Sequence, residues 1–275
     1  MSIGIRLHDT AEGTLAQRAL YAQAQGFECA HLALSKTLGP AYLEPQTLTP
    51  GLAAQVRRAM NGLDVAVLGC YLNLATPNEE EYRQTLERYI AHLRFSRWLG
   101  AAVVGTETGN PNAAYRYEPQ RSHTQEALET FVHRVRPVVE AAEKLGAILA
   151  IEPVYTHIVS TPLRARYVLD TLKSPNVQII LDPVNLLHAD NVRHAAAVID
   201  EALEVLGPDI VVLHAKDYAV ENGQVRSMAV GTGVMDYTSL SRFVREKKPG
   251  LFVTLEDTVP QNAQAAGQRA RELFA

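Results

Sequence analysis

The stretch IILDPVNLLHAD, residues 179–190, runs from an apolar segment into a carboxylate and then breaks. Three apolar residues lead to Asp182, Pro183 follows at once, and Asn185 and His188 lie just beyond. A short apolar run that ends at proline is typical of a buried β-strand, so Asp182 stands at the carboxyl end of that strand. The chain repeats this pattern along its length, with a different polar residue each time.

Eight such apolar runs alternate with helical patterns. The predicted strands are 3–7, 29–34, 64–72, 101–106, 147–153, 177–182, 209–214 and 251–256, and the clearest predicted helices are 79–99, 121–145, 190–206 and 261–274. This alternation favours parallel pairing, because each helix returns the chain to the same end of the sheet. Eight units in 275 residues predict an α/β fold, a single (β/α)₈ TIM barrel over residues 1–275. An open doubly wound sheet is the alternative, but no glycine-rich phosphate loop follows the first strand.

Composition narrows the class of protein. The net charge of −4 and the pI near 6.1 give no overall basic surface for nucleic acid, and we expect no nucleic-acid partner. No run approaches the roughly 18 apolar residues of a membrane helix, and the amino terminus lacks the pattern of a signal peptide. Both cysteines, Cys29 and Cys70, lie in apolar segments, as buried free thiols of a reducing compartment do. We expect a cytoplasmic protein without a membrane partner.

Four consecutive predicted strands end in a metal-binding type of side chain: Glu152, Asp182, His214 and Glu256. In a barrel the carboxyl ends of the strands meet on one face, where active sites form. Alone, each glutamate is better explained as a helix cap or ion-pair residue, and the histidine as a structural one. Together, three carboxylates and an imidazole at equivalent positions favour a site for one divalent cation.

Several short motifs in the second half of the chain carry a resemblance to a known family. AIEPV (150–154), ILDPVN (180–185), HAKD (214–217), VGTGVMDY (230–237) and TLED (254–257) stand in an order and spacing that resemble the sugar isomerase/epimerase superfamily with a xylose-isomerase-like barrel. Each motif alone is unspecific. The resemblance implies that Glu152, Asp182, His214 and Glu256 bind one catalytic metal ion, with Mn²⁺ expected and Mg²⁺, Co²⁺ or Zn²⁺ as alternatives.

The resemblance also implies an activity. A metal ion chelated by two neighbouring sugar oxygens stabilises an ene-diolate, while carboxylates on either side of the carbon move the proton. Glu152 and Glu256 are the expected catalytic bases. Return of the proton to the opposite face epimerises the sugar, and return to the neighbouring carbon isomerises it. The expected function is therefore a metal-dependent isomerase or epimerase of a small sugar, ketose or polyol.

Four further residues are predicted to bind substrate. Asn185 stands where many epimerases of the family carry histidine; it can hydrogen-bond a hydroxyl group but cannot titrate near neutral pH. Arg226 lies in the loop after strand seven, where the family often places a basic residue. Glu107 and His8 follow strand ends in the first half of the chain, so we expect them to reach the same face.

Three other interpretations stay open at this point. A dehydratase or other lyase of the same superfamily shares the first proton transfer, so the carboxylates do not discriminate against it. An endonuclease with three metal ions needs additional histidines that this chain lacks, since Asn185 replaces one of them. A non-catalytic sugar-binding barrel is the third. A homodimer is expected only by analogy with the family.

Overall fold

The computed structural model describes residues 1–274 and shows eight parallel strands closed into a barrel. Around the barrel the strands follow the order β1-β10-β7-β6-β5-β4-β3-β2. They span β1 Ser2–Arg6, β2 Cys29–Leu32, β3 Asp64–Gly69, β4 Val103–Thr106, β5 Leu149–Ile151, β6 Val177–Leu181, β7 Ile210–Ala215 and β10 Phe252–Leu255. The predicted TIM barrel is confirmed, and each predicted strand is present with its ends shifted by one to three residues.

Helices pack around the outside of the barrel. They span α1 Leu15–Ala24, α2 Leu34–Thr37, α3 Pro50–Met60, α4 Glu79–Leu99, α5 Pro119–Ser122, α6 Gln125–Leu145, α7 Pro162–Leu172, α8 Ala195–Leu206, α9 Thr238–Lys247 and α10 Ala263–Phe274. The prediction of α4 is confirmed at both ends, because Asn78 caps its first amides and Gly100 ends it in a left-handed conformation. No helix among residues 1–274 is long and apolar enough to cross a lipid bilayer.

Three predicted helices begin later than expected, and the last of them, α10, is late by only two residues. The region 121–145 splits into α5 and α6, because the Thr124 side chain accepts from the Ala127 amide and caps a new helix there. The region 190–206 begins as a short 3₁₀ turn at Val192–His194 and becomes α-helical only at Ala195.

One element was not predicted at all. A two-stranded antiparallel hairpin follows β7, with β8 Asp217–Glu221 paired to β9 Gln224–Met228. Asn222 and Gly223 form its turn, both with positive φ (51° and 76°), as a tight hairpin turn requires. The Asp217 carboxylate accepts the amides of Gly231 and Met235 and so ties the hairpin base to the following loop.

Packing inside the barrel is tight below the strand ends. A Cβ atom built on Gly105 of β4 would lie 2.6 Å from Val67 Cγ1 and 2.9 Å from Ile180 Cδ1, across the interior. Because residues two apart on a strand share a face, Ile180 places Asp182 on the interior side as well. Cys29 and Cys70 are buried and free, as predicted.

Candidate active site

The four predicted metal ligands all lie at the carboxyl end of the barrel and are buried. His214 and Asp182 have no exposed surface, while Glu152 is 2% and Glu256 6% exposed. Strand alternation explains their direction: Asp182 follows Ile180, and His214 follows Val212, at the interval of two that keeps a side chain inside the barrel. The structure therefore brings together the residues that the sequence singled out.

His214 is at the centre of the group. Its Nδ1 atom lies 3.3 Å from Glu152 Oε2 and 3.3 Å from Glu256 Oε1. Possible ligand atoms of Glu152, Asp182 and His214 lie within 4.8 Å of one another, and the same holds for His31, His214 and Glu256. The two triads share His214, so one imidazole links two adjoining groups of ligand atoms.

The polar atoms of this group fit a divalent cation. Among residues 1–274, His214 Nε2 has no hydrogen-bond partner, and neither nitrogen of the neighbouring His31 has one. A buried polar atom without a partner is costly, so unpaired atoms gathered in one place indicate a missing ligand. Carboxylate and imidazole donors suit Mn²⁺, Mg²⁺, Co²⁺ or Zn²⁺.

A lysine also enters the group, and its role was not predicted. The Lys216 ammonium lies 2.9 Å from Asp182 Oδ2 and 3.2 Å from Glu256 Oε2, and its side chain is 7% exposed. The sequence did contain a signal, because Lys216 stands two residues after His214 and so shares its face of the strand. The ammonium supplies a positive charge beside the carboxylates of two candidate ligands.

The charges in this group perturb one another. Burial alone would raise the pKa of Glu256, but His214, Lys216 and Arg6 outweigh it and hold that pKa well below its usual range. Burial raises the pKa of Asp182 to about 6 against the opposing charge of Lys216. For His214, burial lowers the pKa, but Glu152 and Glu256 outweigh this and raise it to about 9. Without a bound metal ion, the group carries its own internal counter-ions.

Asn185 connects two of the candidate ligands. Its side-chain amide donates a 2.7 Å hydrogen bond to Glu152 Oε1, and its backbone amide donates to Asp182 Oδ1 at 3.1 Å. Asp182 Oδ1 also accepts the Val184 amide at 3.0 Å. Many epimerases of the family that this chain resembles carry histidine at this position. Here Asn185 occupies it and orients the carboxylates of Glu152 and Asp182.

A cavity of about 170 Å³ opens above the ligand group, and we call it the central cavity. It is lined by Arg6, His8, His31, Ala33, Lys36, Tyr71, Glu107, Glu152 and Glu256. Two of the predicted substrate-binding residues, His8 and Glu107, are thus on its wall. Larger grooves exist elsewhere, such as one between α8 and α9, but they contain no candidate ligand.

Glu107 belongs to a polar network on one side of the central cavity. The Tyr115 hydroxyl donates to Glu107 Oε2 at 3.3 Å, and His157 Nδ1 lies 3.7 Å from the same oxygen. Burial, then the charges of Glu152 and Glu256, raise the pKa of Glu107 to about 7. Tyr115 and His157 come from different loops, so their spacing in sequence gave no sign of this network.

His31 and Tyr71 are cavity residues that were expected to be structural or left without a role. The His31 ring stacks on His214, with centroids 5.5 Å apart, and on Tyr71, with centroids 5.6 Å apart. Both His31 nitrogens and the Tyr71 hydroxyl lack hydrogen-bond partners among residues 1–274.

The structure does not bring Arg226 to the site. Arg226 lies on β9 of the hairpin, its side chain is 64% exposed, and its guanidinium pairs with Glu221 at 2.8 Å. The predicted substrate contact assumed that Arg226 lies in a loop over the site. In the structure it belongs to an antiparallel strand, its side chain faces solvent, and it does not line the central cavity.

Comparison of the sequence with known proteins finds enzymes that act on sugars and related compounds. Two curated relatives match part of the chain: 3-oxo-isoapionate decarboxylase of Pectobacterium atrosepticum (31% identity over 104 residues) and the probable L-ribulose-5-phosphate 3-epimerase UlaE of Mycoplasma pneumoniae (26% over 186 residues). The matches cover 36% and 66% of this chain, and the chain spans 36% and 55% of the length of those relatives.

Solved structures show the same fold over nearly the whole chain. The apo 3-keto-D-glucoside 4-epimerase YcjR of E. coli has a TM-score of 0.75 at 18% identity, covering 99% of this chain and 98% of its own. The probable 3-DHS dehydratase AsbF of Bacillus anthracis scores 0.74 at 15%, covering 100% and 99%. The IOLI protein, solved with a zinc atom, scores 0.73 at 17%, covering 99% and 96%.

The family itself is shown by a profile match. The profile described as xylose isomerase-like TIM barrel matches residues 19–274, which include the second half of α1 and every barrel strand except β1. With the closed eight-stranded barrel and the ligand group at its carboxyl end, this match establishes that the chain belongs to the xylose isomerase-like TIM barrel family.

Proposed function

We propose that the protein is a divalent-metal-dependent isomerase or epimerase of a sugar or sugar-like ketose. The observation that carries the proposal is the position of Glu152 and Glu256, which approach the same His214 nitrogen at 3.3 Å from different strands. Both carboxylates also line the central cavity. A substrate carbon held there would have a proton acceptor on each side, as inversion or transfer of a proton requires.

Glu152, Asp182, His214 and Glu256 are the residues that would hold the metal ion. When bound, a divalent ion supplies the positive charge that stabilises negative charge developing on two adjacent substrate oxygens. Asn185 fixes the orientation of Glu152 through its 2.7 Å hydrogen bond. His214 and Lys216, together with Arg6, whose Nη1 lies 3.3 Å from Glu256 Oε1, keep the Glu256 carboxylate ionised.

Related proteins support the class of reaction. UlaE is a probable L-ribulose-5-phosphate 3-epimerase, YcjR is a 3-keto-D-glucoside 4-epimerase, and the IOLI structure holds zinc. We infer a small sugar as substrate from the 170 Å³ volume of the central cavity, which suits a monosaccharide, and from its polar wall.

A lyase is the second candidate, and Lys216 favours it. The ammonium stands 3.2 Å from Glu256 Oε2, so a hydrogen-bond donor lies beside a proton-accepting carboxylate. Loss of a hydroxyl group needs such a donor as well as the base. AsbF and the isoapionate enzyme are named as a dehydratase and a decarboxylase, respectively.

The test is exchange of substrate carbon-bound hydrogen with solvent deuterium, measured by NMR on Mn²⁺-loaded protein with a panel of ketoses and keto-sugars. We expect exchange in the wild type and its loss, by at least about a hundredfold, in Glu152→Gln and Glu256→Gln. Glu221→Gln is the control, because Glu221 is an exposed hairpin residue whose only ion pair within residues 1–274 is with Arg226.

Products separate the two candidate reactions. A stereoisomer or an aldose supports epimerisation or isomerisation, and a product lighter by water or carbon dioxide supports a lyase. Full exchange activity in either glutamine variant would refute the two-carboxylate mechanism.

A further inference from the structure

The wall of the central cavity is divided by charge. Glu107 and Glu152 follow β4 and β5 on one side, whereas Arg6, His8 and Lys36 follow β1 and β2 on the other. Glu256 stands between the two groups, within 3.3 Å of Arg6. A ligand that fills the cavity therefore meets carboxylates at one end and cationic groups at the other.

Lys36 is the uncommitted cation of this wall. It is exposed on the short helix α2, directly after β2, and pairs with no carboxylate among residues 1–274. Arg6, by contrast, already pairs with Asp9 at 2.6 Å and with Glu256 at 3.3 Å. The charge of Lys36 is therefore available to a ligand.

His8 lies beside the two cations on this side of the cavity. Burial, then the charges of Lys36 and Arg6, lower the pKa of His8 to about 4. The imidazole is neutral at physiological pH, and its Nδ1 atom has no partner among residues 1–274. A neutral ring beside two cations adds a hydrogen-bonding group without cancelling their attraction for an anion.

The adjoining wall has buried polar atoms that require a ligand. His31 is 3% exposed, and neither of its nitrogens has a partner; the fully buried Tyr71 hydroxyl has none either. Both side chains stand in the cavity wall between Lys36 and Glu152. Oxygen atoms of a polyhydroxylated ligand would satisfy them, since hydroxyl groups both donate and accept.

We propose that the β1–β2 side of the central cavity is an anion subsite, in which Lys36, with Arg6 and His8, binds a carboxylate or phosphate ester of the substrate. His31 and Tyr71 bind hydroxyl oxygens next to it. The inference rests on the proposed function, because the substrate's reacting carbon is taken to lie at Glu152 and Glu256. It narrows the substrate to an anionic sugar derivative, a sugar acid or a sugar phosphate.

Calorimetry with three matched probes tests this subsite. D-glucitol, D-gluconate and D-glucitol 1-phosphate have the same carbon chain and differ only at C1, which carries a hydroxyl group, a carboxylate or a phosphate ester, respectively. We expect an anion to bind wild-type protein at least about tenfold more tightly than glucitol, as one ion pair at a partly exposed site provides. The anion with the larger gain in affinity identifies the substrate class. Tighter binding of gluconate indicates a sugar acid, and tighter binding of the phosphate ester indicates a sugar phosphate.

Substitution of Lys36 tests whether its charge is responsible for the anion preference. Lys36→Gln removes the anion preference about tenfold, whereas Lys144→Gln leaves it unchanged. Lys144 is the matched control, because it is also exposed and unpaired within residues 1–274 but lies in the last turn of α6, at the opposite end of the barrel. Equal binding of the three probes, binding by none of them at millimolar concentration, or an unchanged preference in Lys36→Gln would overturn the inference.

The titrations are made with and without Mn²⁺, so that failure of this inference and failure of the proposed function can be told apart. Lys36-dependent anion binding in protein that takes up no metal ion would leave the subsite standing and remove the metal-dependent mechanism. Normal metal uptake with carboxylate-dependent exchange, but no anion preference, would remove the subsite alone.

Discussion

At the scale of single residues, Lys216 has opposite effects on the metal-free and metal-bound protein. Its ammonium neutralises Asp182 and Glu256 from 2.9 and 3.2 Å, in a place that a divalent ion must approach. A cation that stabilises the carboxylates before metal binding repels the metal ion afterwards. The same contact therefore favours folding and opposes metal binding.

Lys216→Met should separate these two effects. We expect the metal-free variant to lose about 3 kcal/mol of unfolding free energy, because buried carboxylates lose their counter-ion. We expect Mn²⁺ to bind about tenfold more tightly, because the repulsion is removed. Denaturant unfolding in chelator and competition with a fluorescent chelator measure the two changes, with Lys144→Met as control. Weaker Mn²⁺ binding in the variant would contradict this explanation.

Glu107 gives a prediction about pH. Burial and two neighbouring carboxylates raise its pKa from 4.5 to about 7. Between these values the folded chain holds a proton that the unfolded chain has released, so this residue's contribution to stability falls as the pH rises. Glutamine does not titrate, so the Glu107→Gln variant lacks this pH-dependent loss of stability. We expect the stability of wild type relative to the variant to fall by at most about 3 kcal/mol between pH 4.5 and 7.

The measurement is urea unfolding of both metal-free proteins at several pH values across this window. A stability difference that does not change with pH would show that the carboxylate titrates normally.

At the scale of the elements, Gly105 of β4 marks where the barrel interior closes beneath the site. An added methyl group would meet Val67 and Ile180 at 2.6 and 2.9 Å, both of them on other strands of the barrel. We expect Gly105→Ala to destabilise the protein by about 1–3 kcal/mol through overpacking. Gly250→Ala is the control, because a Cβ there has no neighbour within 4 Å. Equal urea midpoints for the two variants would disprove the close packing.

Element type and order could be predicted from the sequence because apolar periodicity depends on local spacing. For this reason the strands predicted at 177–182 and 209–214 agree with β6 and β7 to within one residue at each end, and α4 is bounded by its own capping residues, Asn78 and Gly100. The β8–β9 hairpin was missed because its strands are short and largely exposed, so they lack an apolar run. Its Asn222–Gly223 turn was the available signal.

The site was predicted only in part for a related reason. Strand ends indicate which residues share a face, and this located the four candidate ligands. Contacts between loops are not visible in the sequence, so the Tyr115–Glu107 hydrogen bond and the Asn185–Glu152 hydrogen bond were not foreseen. Arg226 shows the converse: a loop position was identified, but the hairpin that directs its side chain outward was not.

At the scale of the whole molecule, the candidate ligands come from four neighbouring strands. Glu152, Asp182 and Glu256 follow β5, β6 and β10, and His214 lies near the end of β7; these four strands are half of the closed barrel. A metal ion held by all four would join these strands at one end. Its binding free energy would then stabilise the whole barrel, since unfolding would have to break every ligand contact.

We expect Mn²⁺ at about a hundred times its dissociation constant to add about 2.7 kcal/mol to the unfolding free energy, seen as a higher Tm than in chelator. Asp182→Asn should abolish this gain, because it removes a fully buried ligand charge. Asp170→Asn should retain the gain, since the Asp170 side chain is 67% exposed and, in the described part of the chain, pairs with Arg166 alone. An equal rise of Tm in both variants would show that the stabilising ions bind elsewhere.

The hairpin β8–β9 has a consequence for engineering the molecule. Its base is fixed by the Asp217 carboxylate, while its tip, from Glu221 to Gln224, is exposed at the same end of the barrel as the central cavity. A cysteine placed at the tip would carry a fluorescent dye on that end of the barrel, outside the wall of the central cavity. Since both natural thiols are buried, the dye would react there selectively and could report ligand arrival in real time.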